Sequence, residues 1–267
     1  MNQIELINVR KDYTTKTLGT VTAVNNFNLT IKKGECFSFL GPSGCGKTTT
    51  LRMLAGFEDL SEGEIRLEGK VVSNKAKNLY VPPEHRNLGM VFQAFAVWPH
   101  LNVFDNVAFP LQVQKRPKAE IEERVNLALK QTNLLDQAKV FPSDLSGGEQ
   151  QRIALARSIV VNPGILLLDE PLSNLDPKLR ESMRFEIKRL QKEYNFTIVF
   201  VTHDQSEALA LSDRLLVMNK GEIIQIGTPQ ELYNKPVSLF VHNFLGESNF
   251  TKVEYRDGKV YADGDTT

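Results

Sequence analysis

The chain has 267 residues, enough for one large domain or for one domain with a small appendage. Its 41% apolar and 24% charged residues are those of an ordinary packed globular protein, and 32 basic against 32 acidic residues leave no basic excess of the kind a dedicated nucleic-acid binder carries. No apolar run reaches the roughly 18 residues of a spanning helix, Met1 to Arg10 lacks the apolar core of a secretory signal, and two cysteines, Cys36 and Cys45, give neither a disulfide framework nor metal-ligand spacing, so the chain is expected in the cytosol.

Ile4 to Val9 predicts an edge strand. Residues 21–31 and 35–40 predict two more, parted by the turn signal Lys32-Lys33-Gly34. Cys36 to Leu40 runs into a glycine-rich loop, Gly41 to Gly46, and a helical pattern follows from Lys47 to about Ala55. From about Ala94 to Val161 strand signals become few, and helices are expected over Asp105–Val113, Pro117–Thr132 and Ser146–Ile159, a stretch suited to a separate helical lobe. Ile165-Leu166-Leu167-Leu168 is a continuous apolar run, typical of a strand buried on both faces. A helix over Pro177–Glu193, a strand over Thr197–Val201 and a pair of strands at Leu215–Met218 and Glu222–Ile226 follow. The alternation predicts a parallel sheet with helices on both sides. Beyond Pro236, Val237–Leu245 reads as a helix, and Lys252–Tyr261 as a hairpin with an Asp257-Gly258 turn.

Gly41-Pro42-Ser43-Gly44-Cys45-Gly46-Lys47-Thr48 fits G-x-x-x-x-G-K-S/T in full, and Thr49 continues it into the helix. Such glycines let backbone N–H groups turn around phosphate oxygens, and the helix adds its positive N-terminal end. Lys47 should reach the β- and γ-phosphates, and Thr48 should ligate Mg²⁺. A metal-bound nucleotide also needs an acid at the end of a buried strand. Asp169 is placed to hold Mg²⁺ through water, and Glu170, one residue on, to orient or deprotonate the attacking water. A second glycine element, Leu145-Ser146-Gly147-Gly148-Glu149-Gln150-Gln151-Arg152, precedes a helix. Ser146 and Glu149 make a capping box, but capping does not require Gly147 and Gly148, which open the helix N-terminus to an anion. Two phosphate-binding ends with a single Lys47 suggest a dimer in which each nucleotide is gripped by both chains. Asn219-Lys220-Gly221-Glu222 nearly matches a guanine-reading motif, but its acid is Glu and Lys220-Gly221 reads as a turn, so GTP specificity is rejected.

Together, Gly41–Thr48, Leu145–Arg152 and Ile165–Glu170 resemble the Walker A, signature and Walker B motifs of ABC-transporter ATPase subunits. Ser173-Asn174-Leu175-Asp176 is similar to that family's D-loop, Thr202-His203-Asp204 to its switch, and Gln93 to its Q-loop glutamine. The resemblance implies an α/β P-loop NTPase with an N-terminal antiparallel β subdomain, a helical subdomain at about 94–161 within residues 1–236, and a C-terminal extension at 237–267 that opens a regulatory β-domain. It implies that Glu170 is the catalytic carboxylate, that His203 contacts the γ-phosphate and holds Glu170 and the opposing Asp176 in register, and that Gln93 touches Mg²⁺ and water. Ser146 and Gly148 would bind the γ-phosphate of the partner chain's ATP, and Tyr13 would stack on adenine, unless it is ordinary surface packing. The implied partners are a second copy, two membrane permease subunits and, indirectly, an extracytoplasmic solute-binding protein, at the cytoplasmic face of a membrane. Ala94 to His100 is unusually apolar for a loop, and Trp98 either docks the permeases or packs inside the helical lobe. Val81 to Gln93, Trp98-Pro99-His100 and Phe240 to Gly246 resemble importers for ferric iron, polyamines, sulfate and sugars, with Trp98-Pro99-His100 tilting toward ferric iron. The rivals are a soluble ABC-type ATPase acting on DNA or ribosomes, for which no long coiled coil or second cassette is present, and a small-molecule kinase, which would need neither the signature element nor His203.

Overall fold

The computed structural model describes residues 1–15, 19–246, 251, 253–256 and 259–262. In chain order the strands are β1 Asn2–Thr15, β2 Gly19–Lys32, β3 Cys36–Leu40, β4 Glu62–Leu67, β5 Lys70–Asn74, β6 Leu79–Tyr80, β7 Leu88–Val91, β8 Ile165–Asp169, β9 Thr197–Thr202, β10 Arg214–Asn219, β11 Glu222–Gly227, β12 Val253–Arg256 and β13 Lys259–Ala262. The helices are α1 Lys47–Ala55, α2 Val103–Val113, α3 Lys118–Gln131, α4 Gly147–Ile159, α5 Pro177–Tyr194, α6 Gln205–Leu211, α7 Pro229–Asn234 and α8 Leu239–Leu245.

A six-stranded sheet in the order β11-β10-β3-β9-β8-β7 forms the centre; it is parallel except for the antiparallel edge pair β10–β11. β3, β8 and β9 are buried along their whole length, in keeping with their predominantly apolar sequences. Their side chains still alternate between faces. Leu166, Leu168, Ile198 and Phe200 point into a core shared with α2, α3, α4 and α5, through Leu111, Leu129, Ile153 and Leu190. Ile165, Leu167, Val199 and Val201 point the other way, to Phe37, Phe39, Leu51, Leu54, Ile4, Phe27 and Ile65. That second core joins α1 to a five-stranded antiparallel sheet ordered β2-β1-β4-β5-β6. The structure corrects one expectation here: the strand through Ile4–Val9 is no edge, because β1 pairs with β2 on one side and β4 on the other.

Buried Arg86, just before β7, staples this arrangement. Its guanidinium, 5% exposed, donates to the carbonyls of Val81, Met53 and Leu54 and to Ser73 Oγ, so it closes the C-terminal end of α1 against β5. A third core gathers Leu40, Leu215 and Val217 with Leu232, Val241 and Leu245. α8, beyond the expected boundary at Pro236, is therefore seated on the same body as the central sheet. β12 and β13 pair antiparallel, while the expected turn at Asp257-Gly258 lies outside the described residues. No helix among the described residues is long and apolar enough to cross a membrane.

Candidate functional site

Four neighbouring strands, β3, β9, β8 and β7, end side by side: Leu40 pairs with Thr202, Val201 with Asp169, and Leu168 with Val91. The residues that follow them are Gly41 to Lys47, His203, Glu170 and Gln93. Parallel strands thus deliver every predicted reacting side chain to one edge of the sheet, at its carboxyl end, where open α/β sheets bind ligands.

The loop after β3 wraps onto α1. Gly46 has φ 106°, and a Cβ there would collide with the Ala23 carbonyl of β2, so only glycine lets the loop pass this close. Gly41, Cys45 and Lys47 are buried, Pro42, Gly46, Thr48 and Thr49 half-buried, and Ser43 and Gly44 exposed. Lys47, 5% exposed, folds its ammonium back on the loop, donating to the carbonyls of Gly41 at 2.6 Å and Pro42 at 3.0 Å. A buried cation held by main-chain carbonyls and a thiol, with no carboxylate partner among the described residues, is suited to an anionic ligand. Thr48 Oγ1 donates to Asp169 Oδ1 at 3.2 Å. Burial pushes the Asp169 carboxyl above its ordinary value, against the lowering effect of that hydrogen bond.

Glu170 stands at the centre. It holds φ 46°, uncommon for a residue with a side chain, and its N–H donates to the Val201 carbonyl. Gln93 Nε2 donates to its Oε2 at 3.0 Å, and His203 Nδ1 lies 3.3 Å from its Oε1. A carboxylate held by an amide on one side and an imidazole on the other can accept a proton from water in a fixed direction. The backbone of Gln93 is itself braced, since Asn174 Nδ2 donates to its carbonyl at 2.9 Å.

Ser146 caps α4: its Oγ donates to Glu149 Oε2 at 2.6 Å, and the Glu149 carboxylate also accepts from the Ser146 N–H. These bonds hold the Glu149 carboxyl below its ordinary value. Ser146 and Gly147 are exposed. Gly148 differs from expectation. It is buried, and a Cβ there would stand 2.6 Å from Leu179 Cδ1 and 2.7 Å from Leu179 Cγ, so its missing side chain makes room for α5. Asp176 caps α5 by accepting from the Leu179 N–H at 3.0 Å. Tyr13 pairs with Val21, two residues before the Ala23 carbonyl that abuts Gly46, which sets its strand end beside the loop. Its ring is covered on one side by Lys11 Nζ, 4.9 Å from the centroid. Trp98 is half-buried against Phe109, with ring centroids 4.3 Å apart, and the Arg157 guanidinium lies 4.5 Å over its ring. Phe57 and Phe92 form a second, more exposed aromatic pair.

Two residues that tie this edge together were not singled out from the sequence, Arg180 and Glu207, while Asn174 was quoted only as part of the D-loop match, without a role of its own. The one legible signal is the Asp204-Gln205-Ser206-Glu207 capping pattern, which announces α6.

The family model for ABC transporters matches residues 24–173. The chain belongs to the ABC transporter family as an ATP-binding domain. It is 53% identical over 246 residues to the spermidine/putrescine import ATP-binding protein PotA of Thermobifida fusca, covering 92% of this chain and 62% of that one. It is 47% identical over 249 residues to the trehalose/maltose import ATP-binding protein MalK of Thermococcus litoralis, covering 93% and 66%. This ABC chain thus spans a little under two thirds of the length of these relatives. Among solved structures, it is similar to a dimeric post-hydrolysis state of the ATP-binding cassette MJ0796 bound to ADP and phosphate, with TM-score 0.73 and 33% identity over 85% of this chain and 98% of that one.

Proposed function

We propose that this chain binds ATP with Mg²⁺ between two copies of itself, hydrolyses it to ADP and phosphate, and so powers solute import as the ATP-binding subunit of an ABC transporter. The observation that carries the reading is Glu170, fixed between Gln93 and His203 one residue beyond Asp169 and one strand away from His203's own β9. Lys47 leaves its loop carbonyls for the β- and γ-phosphates, and Tyr13 supports the adenine. Glu170 takes a proton from the attacking water; Gln93 and His203 keep it aimed.

The residues fit a magnesium ion. Thr48 Oγ1 and Asp169 Oδ1 offer hard oxygens 3.2 Å apart, of the kind an ion that shares its ligands with phosphate and water would take. Bound there, Mg²⁺ would offset phosphate charge, with Thr48, Asp169 and Gln93 around it.

The exposed end of α4, with Ser146, Gly147 and the Gly148 N–H, meets the γ-phosphate held by the partner copy, and Asp176 faces that copy. Loss of the γ-charge weakens this grip, and the pair opens. Residues 1–236 form the working cassette, 94–161 its helical lobe, and 237–267 an extension. Two permease subunits dock at the aromatic surface around Phe92 and Trp98, on the cytoplasmic face of the membrane, with a solute-binding protein outside. The relatives' names point to a polyamine or a sugar, and they outweigh the Trp98-Pro99-His100 signal for ferric iron.

Glu170→Gln is the direct test. With saturating ATP and Mg²⁺ it should retain nucleotide, lose hydrolysis by about a hundredfold or more, and elute from a sizing column as a dimer. A variant that hydrolyses like the wild type, or stays monomeric under these conditions, refutes the reading.

A further inference from the structure

His203 reaches Glu170 from an open position, its side chain 57% exposed, so packing does little to fix the imidazole. Its two chain neighbours are fixed instead. Thr202 Oγ1 donates to Glu207 Oε2 at 2.7 Å, and the Asp204 N–H donates to Thr202 Oγ1 at 3.0 Å. Arg180 of α5 reaches both arms of this turn. Its Nη1 donates to Asp204 Oδ2 at 3.2 Å, and its Nε stands 3.6 Å from Glu207 Oε1. That Nε is buried and has no hydrogen-bond partner among the described residues, so the fork closes fully only when Glu207 moves nearer.

The third arm of Arg180 points elsewhere. Nη2 donates to the Leu175 carbonyl at 3.3 Å. Leu175 lies between Asn174, which holds the Gln93 carbonyl, and Asp176, which caps α5. Segment 173–176 therefore braces Gln93 from one side and, through Arg180, both neighbours of His203 from the other. Among the described residues, Gln93 and His203 are the side chains that reach the Glu170 carboxylate.

We infer that Arg180 is a positioning residue, which sets His203 against Glu170 and ties that alignment to segment Ser173–Asp176. The inference rests on the proposed hydrolysis at Glu170. It makes the His203–Glu170 contact responsive to whatever displaces the Asp176 segment, the partner copy above all, while ATP capture by the Lys47 loop is left alone.

The experiment measures hydrolysis and ATP affinity separately in the full chain with Mg²⁺. Arg180→Ala should lower kcat about a hundredfold while the Kd for ATP stays within about twofold. Arg180→Lys keeps a charge beside Asp204 without the planar fork, and should recover part of the loss. Asp204→Asn keeps the helix cap and breaks the ion pair, so it should repeat the kcat defect, and the double variant should be no worse than Arg180→Ala alone. It also carries the test should Arg180→Ala fail to fold around the buried Glu207. In the nucleotide-free chain, the ring resonances of His203 should move in either variant. Wild-type kcat in a folded variant, unmoved His203 resonances, or equal losses of kcat and ATP affinity overturn the inference. An unmodified chain that hydrolyses no ATP would overturn the proposed function first, and this inference with it; a wild-type rate in Arg180→Ala, with the unmodified chain active, overturns this inference alone.

Discussion

Arg86 and Lys47 are both buried cations held by main-chain carbonyls, yet they do opposite things. Lys47 is free to trade its partners for a ligand at the sheet edge. Arg86 lies deep between α1 and β5, and burial pulls its guanidinium down to about 10, still charged at neutral pH. Truncation of Arg86 to Ala would remove the donor to the carbonyls of Met53, Leu54 and Val81 and to Ser73 Oγ, and open a void against Gly56, which approaches the guanidinium too closely for any side chain. Arg86→Ala should cost about 3 kcal/mol, read from urea denaturation. A loss under about 0.5 kcal/mol, the size expected of an indifferent surface change, would show the staple to be idle. Lys47, Thr48, Asp169 and Glu170 were legible in the sequence because each pair falls in a short local pattern, the first in a strand–loop–helix and the second at the end of a buried strand. Arg86 and Arg180 were not, because their partners come from separate segments, largely backbone carbonyls for Arg86 and carboxylates of another element for Arg180, which leaves no local pattern in residue type.

At the level of elements, the long helices and buried strands followed from periodicity: the expected helix 47–55 is α1, and Ile165–Leu168 is β8 with one residue added. β4 to β7 escaped, being short or only partly buried, and α6 is seven residues, too brief for a 3.6-residue period to declare itself. Two elements meet at a glycine pair whose second member also has a packing role. Gly147 is open, while Gly148 leaves room for Leu179, so α4 and α5 interlock at the point where the first is capped by Ser146 and the second by Asp176. Gly148→Ala should destabilise the fold by about 1–3 kcal/mol through overpacking, and Leu179→Ala in the same chain should relieve part of that loss. A thermal-unfolding cycle over the four variants decides it; strict additivity would mean the two helices do not press on each other.

Over the whole molecule, three cores share one sheet, and the two cysteines lie in different ones. Cys36 sits in β3 with its thiol pushed up to about 12 by burial, while Cys45 lies in the phosphate loop near the Lys47 ammonium, its thiol also raised by burial. Neither should react readily with iodoacetamide at neutral pH. Cys45 needs only a local opening of its loop, and Cys36 needs the sheet to come apart, so urea should expose Cys45 first and ATP with Mg²⁺ should shield it selectively. Mass spectrometry of quenched samples would follow both; parallel labelling at every urea concentration would mean the loop never opens on its own. The architecture of layers was readable from the alternation of strands and helices, whereas the reach of the packed body past Pro236 was not, since Val241 and Leu245 acquire meaning only from the sheet face that receives them.

That seat has a mechanical corollary. Leu40 is the final residue of β3, and Gly41 begins the phosphate loop directly after it, so the floor beneath Val241 and Leu245 is also the hinge pin of the loop. A load applied to the tail crosses a single stratum of close-packed, poorly compressible side chains before it tilts the first glycine. The tail and the start of the phosphate loop thus share one packed cluster.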